Sequence, residues 1–240
     1  MRQVVVTGGG TGIGLAIAQA FIANGDRVAI TGRRESVLSE AAQRIGAQAV
    51  SFDAADPVAV RASLPELPAE VDVLVNNAGG IVAAGEPAPS PDELVALAEG
   101  WRHQLAANLL TAVLVTAALQ PRLVDHGRVI TIGSIAGSRG GGDYGAAKAA
   151  VVAWNADLAA KLGPRGITAN VVAPGLVLET EFFQGRLSEQ RRQRLVAETS
   201  VGRPGAPADV AATVEFVASP GARHITGQVI HVNGGAYLGR

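Results

Sequence analysis

The strongest constraint on the fold is an alternation that runs from end to end: short β-branched runs, each followed by a longer Ala-rich stretch of helical pattern. Strands are expected at Gln3–Thr7, Arg27–Thr31, Gln48–Phe52, Val71–Val75, Gly127–Ile132, Ile167–Val172 and Gln228–Val232. Helices are expected at Gly12–Asn24, Glu35–Ile45, Pro57–Leu64, Arg102–Asp125, Tyr144–Leu162, Ser188–Glu198 and Ala208–Ala218. Near-continuous apolar runs such as Val71-Asp72-Val73-Leu74-Val75 suit strands covered on both faces. Unbroken strand–helix alternation therefore predicts an α/β fold with a doubly wound parallel sheet and helices on both faces. The 240 residues fit one such domain, spanning 1–240. Two stretches lack regular pattern, Gly79–Pro91 and Gly175–Leu187, and irregular loops of that length usually shape a binding site.

Composition removes several function classes. With 48% hydrophobic residues and a net charge of −1, the chain is not disordered. The absence of cysteine excludes a disulfide scaffold, a thiol nucleophile and Cys-ligated zinc. A pI near 6.4 disfavours nucleic-acid binding through bulk positive charge. His103, His126, His224 and His231 show no ligand spacing, so no metal site is expected. The apolar run Val4–Val6 is too short for a signal-peptide core. The best membrane-span candidate, between Arg102 and Arg122, is interrupted by His103, Gln104, Asn108, Thr111, Thr116, Gln120 and Pro121 and is expected to fall short. The expectation is a soluble, cytoplasmic protein with no membrane partner.

The first strand runs directly into Gly8-Gly9-Gly10-Thr11-Gly12-Ile13-Gly14 and then into a helix. A dinucleotide pyrophosphate needs close backbone approach, a tight turn and a helix N-terminus, and Gly8, Gly12 and Gly14 supply these. The Gly-x3-Gly-x-Gly spacing differs from the commoner G-x-G-x-x-G. Its position on the first strand of an α/β chain carries the assignment. At the end of the second strand, Thr31-Gly32-Arg33-Arg34 offers no acid for ribose hydroxyls. Guanidinium groups there suit the 2′-phosphate of NADP, which favours NADP(H) while leaving NAD(H) open. Arg33 is the better candidate; Arg34 reads equally well as a solvated loop residue.

Tyr144-Gly145-Ala146-Ala147-Lys148 opens a long helix, and i, i+4 spacing puts phenol and ammonium on one face. A nearby cation is expected to lower the phenol pKa and make it a usable acid or base. The chain has two tyrosines, and its only lysines are Lys148 and Lys161, so the pairing carries weight. Upstream, Val129-Ile130-Thr131-Ile132-Gly133-Ser134 reads as a strand ending at the sheet edge where ligands bind, which places Ser134 to hydrogen-bond a substrate oxygen.

Taken in order, these motifs resemble the short-chain dehydrogenase/reductase family, in the compact branch that includes 3-oxoacyl-[acyl-carrier-protein] reductases. The resemblance spans Thr7-Gly8-x3-Gly12-Ile13-Gly14, Asn76-Asn77-Ala78-Gly79, Asn108 after Trp101, Ser134, Tyr144-x3-Lys148, Asn170-Val171-Val172-Ala173-Pro174-Gly175 and Val232-Asn233-Gly234-Gly235. It implies a Rossmann-type seven-stranded sheet and a catalytic tetrad of Asn108, Ser134, Tyr144 and Lys148. Tyr144 would protonate a carbonyl oxygen during hydride transfer, Ser134 would polarise the carbonyl, Lys148 would bind the nicotinamide ribose and depress the Tyr144 pKa, and Asn108 would anchor a water. Cofactor contacts are implied from Gly8, Thr11, Gly12, Ile13, Gly14, Arg33, Arg34, Asp53, Ala54, Asn76, Ala78, Gly79, Tyr144, Lys148, Pro174, Gly175, Val177 and Thr180. The implied substrate is a small ketone or secondary alcohol. A 3-oxoacyl thioester, free or carrier-protein-bound, leads a polyketide, steroid or other small alcohol, and a non-catalytic NADP sensor is the reading from another class. A homotetramer packed through Arg102–Asp125 and Tyr144–Leu162 is also implied.

The sequence departs from that pattern in three places. Only Ile135 to Asp143 separate Ser134 from Tyr144, where about a dozen residues are usual in the family. This trimmed Gly-rich loop either opens the pocket or tightens the Ser134–Tyr144 geometry. The segment Gly79–Asn108 looks extended, with Pro87, Pro89 and Pro91. One position where carrier-protein reductases tend to be basic is Asp125, whereas a second is matched by Arg165. Phe182 and Phe183 read as cover for an apolar substrate or as simple packing, and Arg191, Arg192 and Arg194 read as a solvated helix face before an acidic-ligand site.

Overall fold

Each expected strand forms: β1 (Gln3–Thr7), β2 (Arg27–Gly32), β3 (Gln48–Ser51), β4 (Val71–Asn76), β5 (Leu123–Ile132), β6 (Thr168–Pro174) and β7 (Val229–Val232). All pair in parallel in the order β3-β2-β1-β4-β5-β6-β7. The helices are α1 (Gly12–Ala23), α2 (Glu35–Ile45), α3 (Pro57–Ser63), α4 (Glu93–Leu105), α5 (Thr111–Leu119), α6 (Ala136–Arg139), α7 (Gly142–Leu162), α8 (Glu189–Ala197) and α9 (Pro207–Ala218). The computed structural model describes residues 1–81, 92–183, 185 and 187–239. Pro87, Pro89 and Pro91 lie outside the described residues.

β1 shows why the strand sequences are apolar without alternation. Val4 and Val6 pack into one layer with Ile17 and Phe21 of α1 and with Val210 and Val214 of α9. Val5 packs into the other with Val115 and Leu119 of α5 and with Leu158 and Leu162 of α7. Each such side chain is buried, and burial of that kind contributes about 1.5–3 kcal/mol per residue. The sheet is thus fixed by apolar contact on both faces, and its carboxyl edge is left for polar residues: Thr7, Asn76 and Thr131 are buried there. The strand order reverses between β1 and β4, which opens a crevice beyond those strand ends.

The expected helix Arg102–Asp125 is redrawn. α4 starts earlier, where the Asp92 side chain accepts from Leu94 N at 2.9 Å. Ala106–Leu110 form a π turn, α5 ends at Leu119, and β5 already begins at Leu123. A stretch apolar on nearly all sides has no phase to mark where helix yields to strand; Pro121 supplies the stop. The whole stretch Glu93–Arg122 is long and apolar enough, by length and composition, to cross a membrane, contrary to the expectation that it would fall short. Gln104, Asn108, Thr111 and Thr116 on this stretch are buried within the protein.

Candidate active site

The β1–α1 turn is built by close approach. Gly8 and Gly12 have φ of +65° and +55°, and a Cβ on Gly14 would sit 2.3 Å from the Gly8 carbonyl oxygen. Only glycine tolerates this combination without strain. The turn is clamped from β4: Asn77 N and Ala78 N donate to Thr7 Oγ1 at 3.0 and 2.9 Å, and Asn77 Nδ2 donates to the carbonyls of Thr7 and Gly8, both at 3.0 Å. Thr7 and Asn77 were not among the expected site residues, although both stood inside the quoted motifs. Asn76 lies beneath, its Nδ2 donating to Thr116 Oγ1 at 2.8 Å. The Thr11 side chain makes no capping bond to the N–H groups of α1, and the first turn of α1 holds no acidic residue. Its leading N–H groups therefore suit an anion, and the cradle fits a dinucleotide phosphate.

The remaining expected cofactor residues surround this turn. Arg33 and Arg34 are exposed just past β2, and Arg34 Nη2 forms an ion pair with Glu181 Oε2 at 2.6 Å. Asp53 Oδ1 accepts from Ala55 N at 2.9 Å, beside buried Ala54. Beyond β6, Gly175 N donates to the Val232 carbonyl at 3.0 Å, and Val177 bridges to Gly205. From there the chain crosses to the turn: a Cβ on Gly12 would lie 3.4 Å from Thr180. The structure brings Gly8, Thr11, Gly12, Gly14, Ala78 and Thr180 together around one crevice mouth, while the Asn76 side chain sits in the layer below.

Tyr144 and Lys148 lie in the first turns of α7. Lys148 is buried and its Nζ donates to the Ile132 carbonyl at the end of β5, at 2.9 Å. That places it 5.9 Å from the centre of the Tyr144 ring. Ser134 Oγ accepts from Ala136 N at 3.1 Å and hydrogen-bonds the Tyr144 hydroxyl. Asn108, within the π turn, accepts from Gly80 N at 2.9 Å and donates to the Gly80 carbonyl at 2.9 Å and to Gln104 Oε1 at 3.0 Å. The backbone at Gly79 runs between them, since a Cβ there would lie 2.8 Å from Asn108 Oδ1 and 3.5 Å from Lys148 Nζ. All four members of the expected tetrad thus meet at one edge.

The electrostatics correct one expectation. Tyr144 is not made more acidic: burial pushes its pKa up to about 12, and the hydrogen bond from Ser134 only partly offsets this. Burial also lowers Lys148 to about 8. The ammonium is directed at a backbone carbonyl, and desolvation is the largest influence on the phenol. In this arrangement the Tyr144 phenol keeps its proton at neutral pH.

The shortened loop packs closely on the helix that follows it. Gly140, Gly141 and Gly142 all have positive φ, of 86°, 155° and 62°, which turns the chain from α6 straight into α7. α6 packs on α7 so closely that a Cβ on Gly137 would lie 2.9 Å from the Lys148 backbone. Phe182 closes the other side, edge-on to Tyr144 with ring centroids 5.6 Å apart, and packs in turn on Phe183 at 5.0 Å.

A seven-stranded parallel sheet with a glycine cradle at its switch point and a Ser–Tyr–Lys cluster beside it defines a dinucleotide-dependent oxidoreductase site. Comparison with known proteins gives the class its family. A sequence profile described as enoyl-(acyl carrier protein) reductase matches residues 8–237. The 3-oxoacyl-[acyl-carrier-protein] reductase FabG of Escherichia coli (strain K12) is 36% identical, over 99% of this chain and 98% of its own. A blue fluorescent protein from a metagenomic library, solved in complex with NADPH, matches at 33% identity and a TM-score of 0.85, over 99% of this chain and 98% of that one. A short-chain dehydrogenase/reductase of Brucella melitensis, titled glucose/ribitol dehydrogenase, matches at 29% and a TM-score of 0.87, over 99% and 97%. The chain belongs to the short-chain dehydrogenase/reductase family and is an oxidoreductase.

Proposed function

We propose that the chain reduces a ketone to a secondary alcohol with NADP(H), with Tyr144 as proton donor. The single observation that carries this is geometric: the half-buried Tyr144 hydroxyl is bonded to Ser134 and stands one helical turn from buried Lys148 at the carboxyl edge of the sheet. Gly8, Thr11, Gly12, Ile13 and Gly14 would hold the pyrophosphate. Asp53, Ala54, Ala78 and Gly79 would line the nucleoside side, with Asn76 as support from below. Pro174, Gly175, Val177 and Thr180 would close over the nicotinamide end. When bound, the reduced nicotinamide supplies hydride. Ser134 orients the substrate oxygen, Tyr144 delivers its proton there, Lys148 holds the ribose, and Asn108 keeps the Gly79–Gly80 backbone against Lys148. The 2′-phosphate preference draws support from Arg33 and from the NADPH-bound relative. NAD(H) is the secondary cofactor.

Among ketones we favour a 3-oxoacyl thioester, on the likeness to FabG. Delivery by a carrier protein has weaker support, because Arg165 is paired with Asp125 at 2.8 Å rather than presented as a free cation. A polyketide, steroid or other small alcohol is the alternative. A cytoplasmic homotetramer packed through the helices at Arg102–Asp125 and Tyr144–Leu162 belongs to the same reading; exposed Leu94, Leu97 and Trp101 on the adjoining part of α4 support self-association near that face. Loss of nicotinamide absorbance against a panel of acetoacetyl thioesters, diketones and cyclic ketones tests the assignment. Turnover of the thioesters is expected; turnover confined to the cyclic ketones contradicts the thioester subtype, and none anywhere contradicts the reductase.

A further inference from the structure

The segment that crosses the phosphate turn carries an anion of its own. Glu181 Oε2 lies 2.6 Å from Arg34 Nη2 and 3.4 Å from Thr11 Oγ1. Thr11 caps α1 beside the glycine cradle, and Arg34 caps α2 just past β2. One carboxylate, 147 residues from Arg34 along the chain, therefore joins the two places that the phosphates of a dinucleotide must reach. Two residues earlier, Glu179 has a φ of +60°, left-handed for a residue with a side chain. Such a conformation persists where surrounding contacts hold it. Arg33, by contrast, has no ion-pair partner among the described residues.

Resting on the NADP(H) assignment above, we propose that Glu181 competes with the 2′-phosphate for Arg34, and so determines how far phosphorylated dinucleotide is preferred. A 2′-phosphate can use Arg34 only by displacing the carboxylate. A dinucleotide with free ribose hydroxyls leaves the pair intact. The pair is open to solvent, with side-chain exposures of 58% and 59%. Exposed pairs are weak, so the expected effect is about two- to fivefold in affinity. Glu181 thus tempers a selectivity that two adjacent arginines would otherwise make stronger.

The test is dinucleotide binding, followed by nicotinamide fluorescence or calorimetry in wild type, Glu181→Gln, Arg34→Gln and the double variant. Glu181→Gln should tighten NADPH about two- to fivefold and leave NADH unchanged. In the Arg34→Gln background it should do nothing for either. Equal tightening of both dinucleotides would place Glu181's action on the shared pyrophosphate and overturn the proposal. So would unchanged or weaker NADPH binding, or an undiminished effect without Arg34. Glu181→Ala serves as a second substitution and should move NADPH in the same direction. Failure of wild type to bind either dinucleotide would sink the cofactor assignment itself, whereas wild-type binding with no response to Glu181 substitutions sinks only this competition.

Discussion

The β1–α1 turn and the segment from Gly175 to Phe183 face each other across one crevice but are held by different means. The turn is secured by backbone geometry and by Thr7 and Asn77, whose bonds leave little room for rearrangement. The crossing segment is tied by backbone bonds as far as Leu178, and beyond that by the exposed Glu181–Arg34 pair and by Phe182 lying against Tyr144. Buried hydrogen bonds are costly to break because the abandoned partner stays desolvated, whereas exposed ion pairs contribute little. The half that would cradle the pyrophosphate is therefore rigid and recognisable, and the outer part of the segment that crosses it is freer to vary.

Four substitutions probe that contrast, in falling order of expected effect. Lys148→Met removes the ammonium between the two halves, beside Tyr144, and should lower kcat/KM about 10²–10⁴-fold in a steady-state assay. In wild type, with Lys148 lowered to about 8, kcat/KM for reduction should fall as pH rises above about 8, and that limb should vanish in the variant. The same depressed value makes the unfolded chain bind more protons between about 8 and the ordinary lysine range. Unfolding free energy from denaturant titration should therefore rise with pH across that window, by a contribution that Lys148→Met abolishes. Arg33→Ala should weaken NADPH about 10- to 100-fold and NADH hardly at all, as measured by fluorescence titration. An equal loss for both would show that Arg33 does not meet the 2′-phosphate. Asn77→Ala removes the clamp on the turn and should weaken both dinucleotides alike, about 5- to 50-fold. The smallest effect on the cofactor is expected from Phe182→Ala: an altered KM for ketone with dinucleotide affinity unchanged. A parallel loss of NADPH affinity there would erase the distinction between the two halves.

Sequence made the rigid half legible. β1 and α2 form at their expected bounds, and the glycine spacing, the Asn doublet and Tyr-x3-Lys are local patterns whose neighbours are fixed by the strand and helix carrying them. What escaped depended on distance or burial. Helix period puts Tyr144 and Lys148 on one face but says nothing of the Ile132 carbonyl that takes the ammonium, so the direction of the Tyr144 shift was missed. Nothing local links Glu181 to Arg34 or Arg165 to Asp125. The helix before β5 ran too far into Asp125 because Leu123-Val124 carries the same apolar signature as the residues ahead of it.

The central claim is that Tyr144 gives the proton while the glycine cradle holds the nucleotide independently of it. Single-turnover mixing of NADPH-loaded enzyme with a reactive ketone, in wild type and Tyr144→Phe, tests this most directly when paired with an NADPH titration of each. The prediction is unchanged NADPH affinity in both, with rapid loss of nicotinamide absorbance in wild type and none in the variant. Wild-type-like oxidation of NADPH by Tyr144→Phe would contradict it.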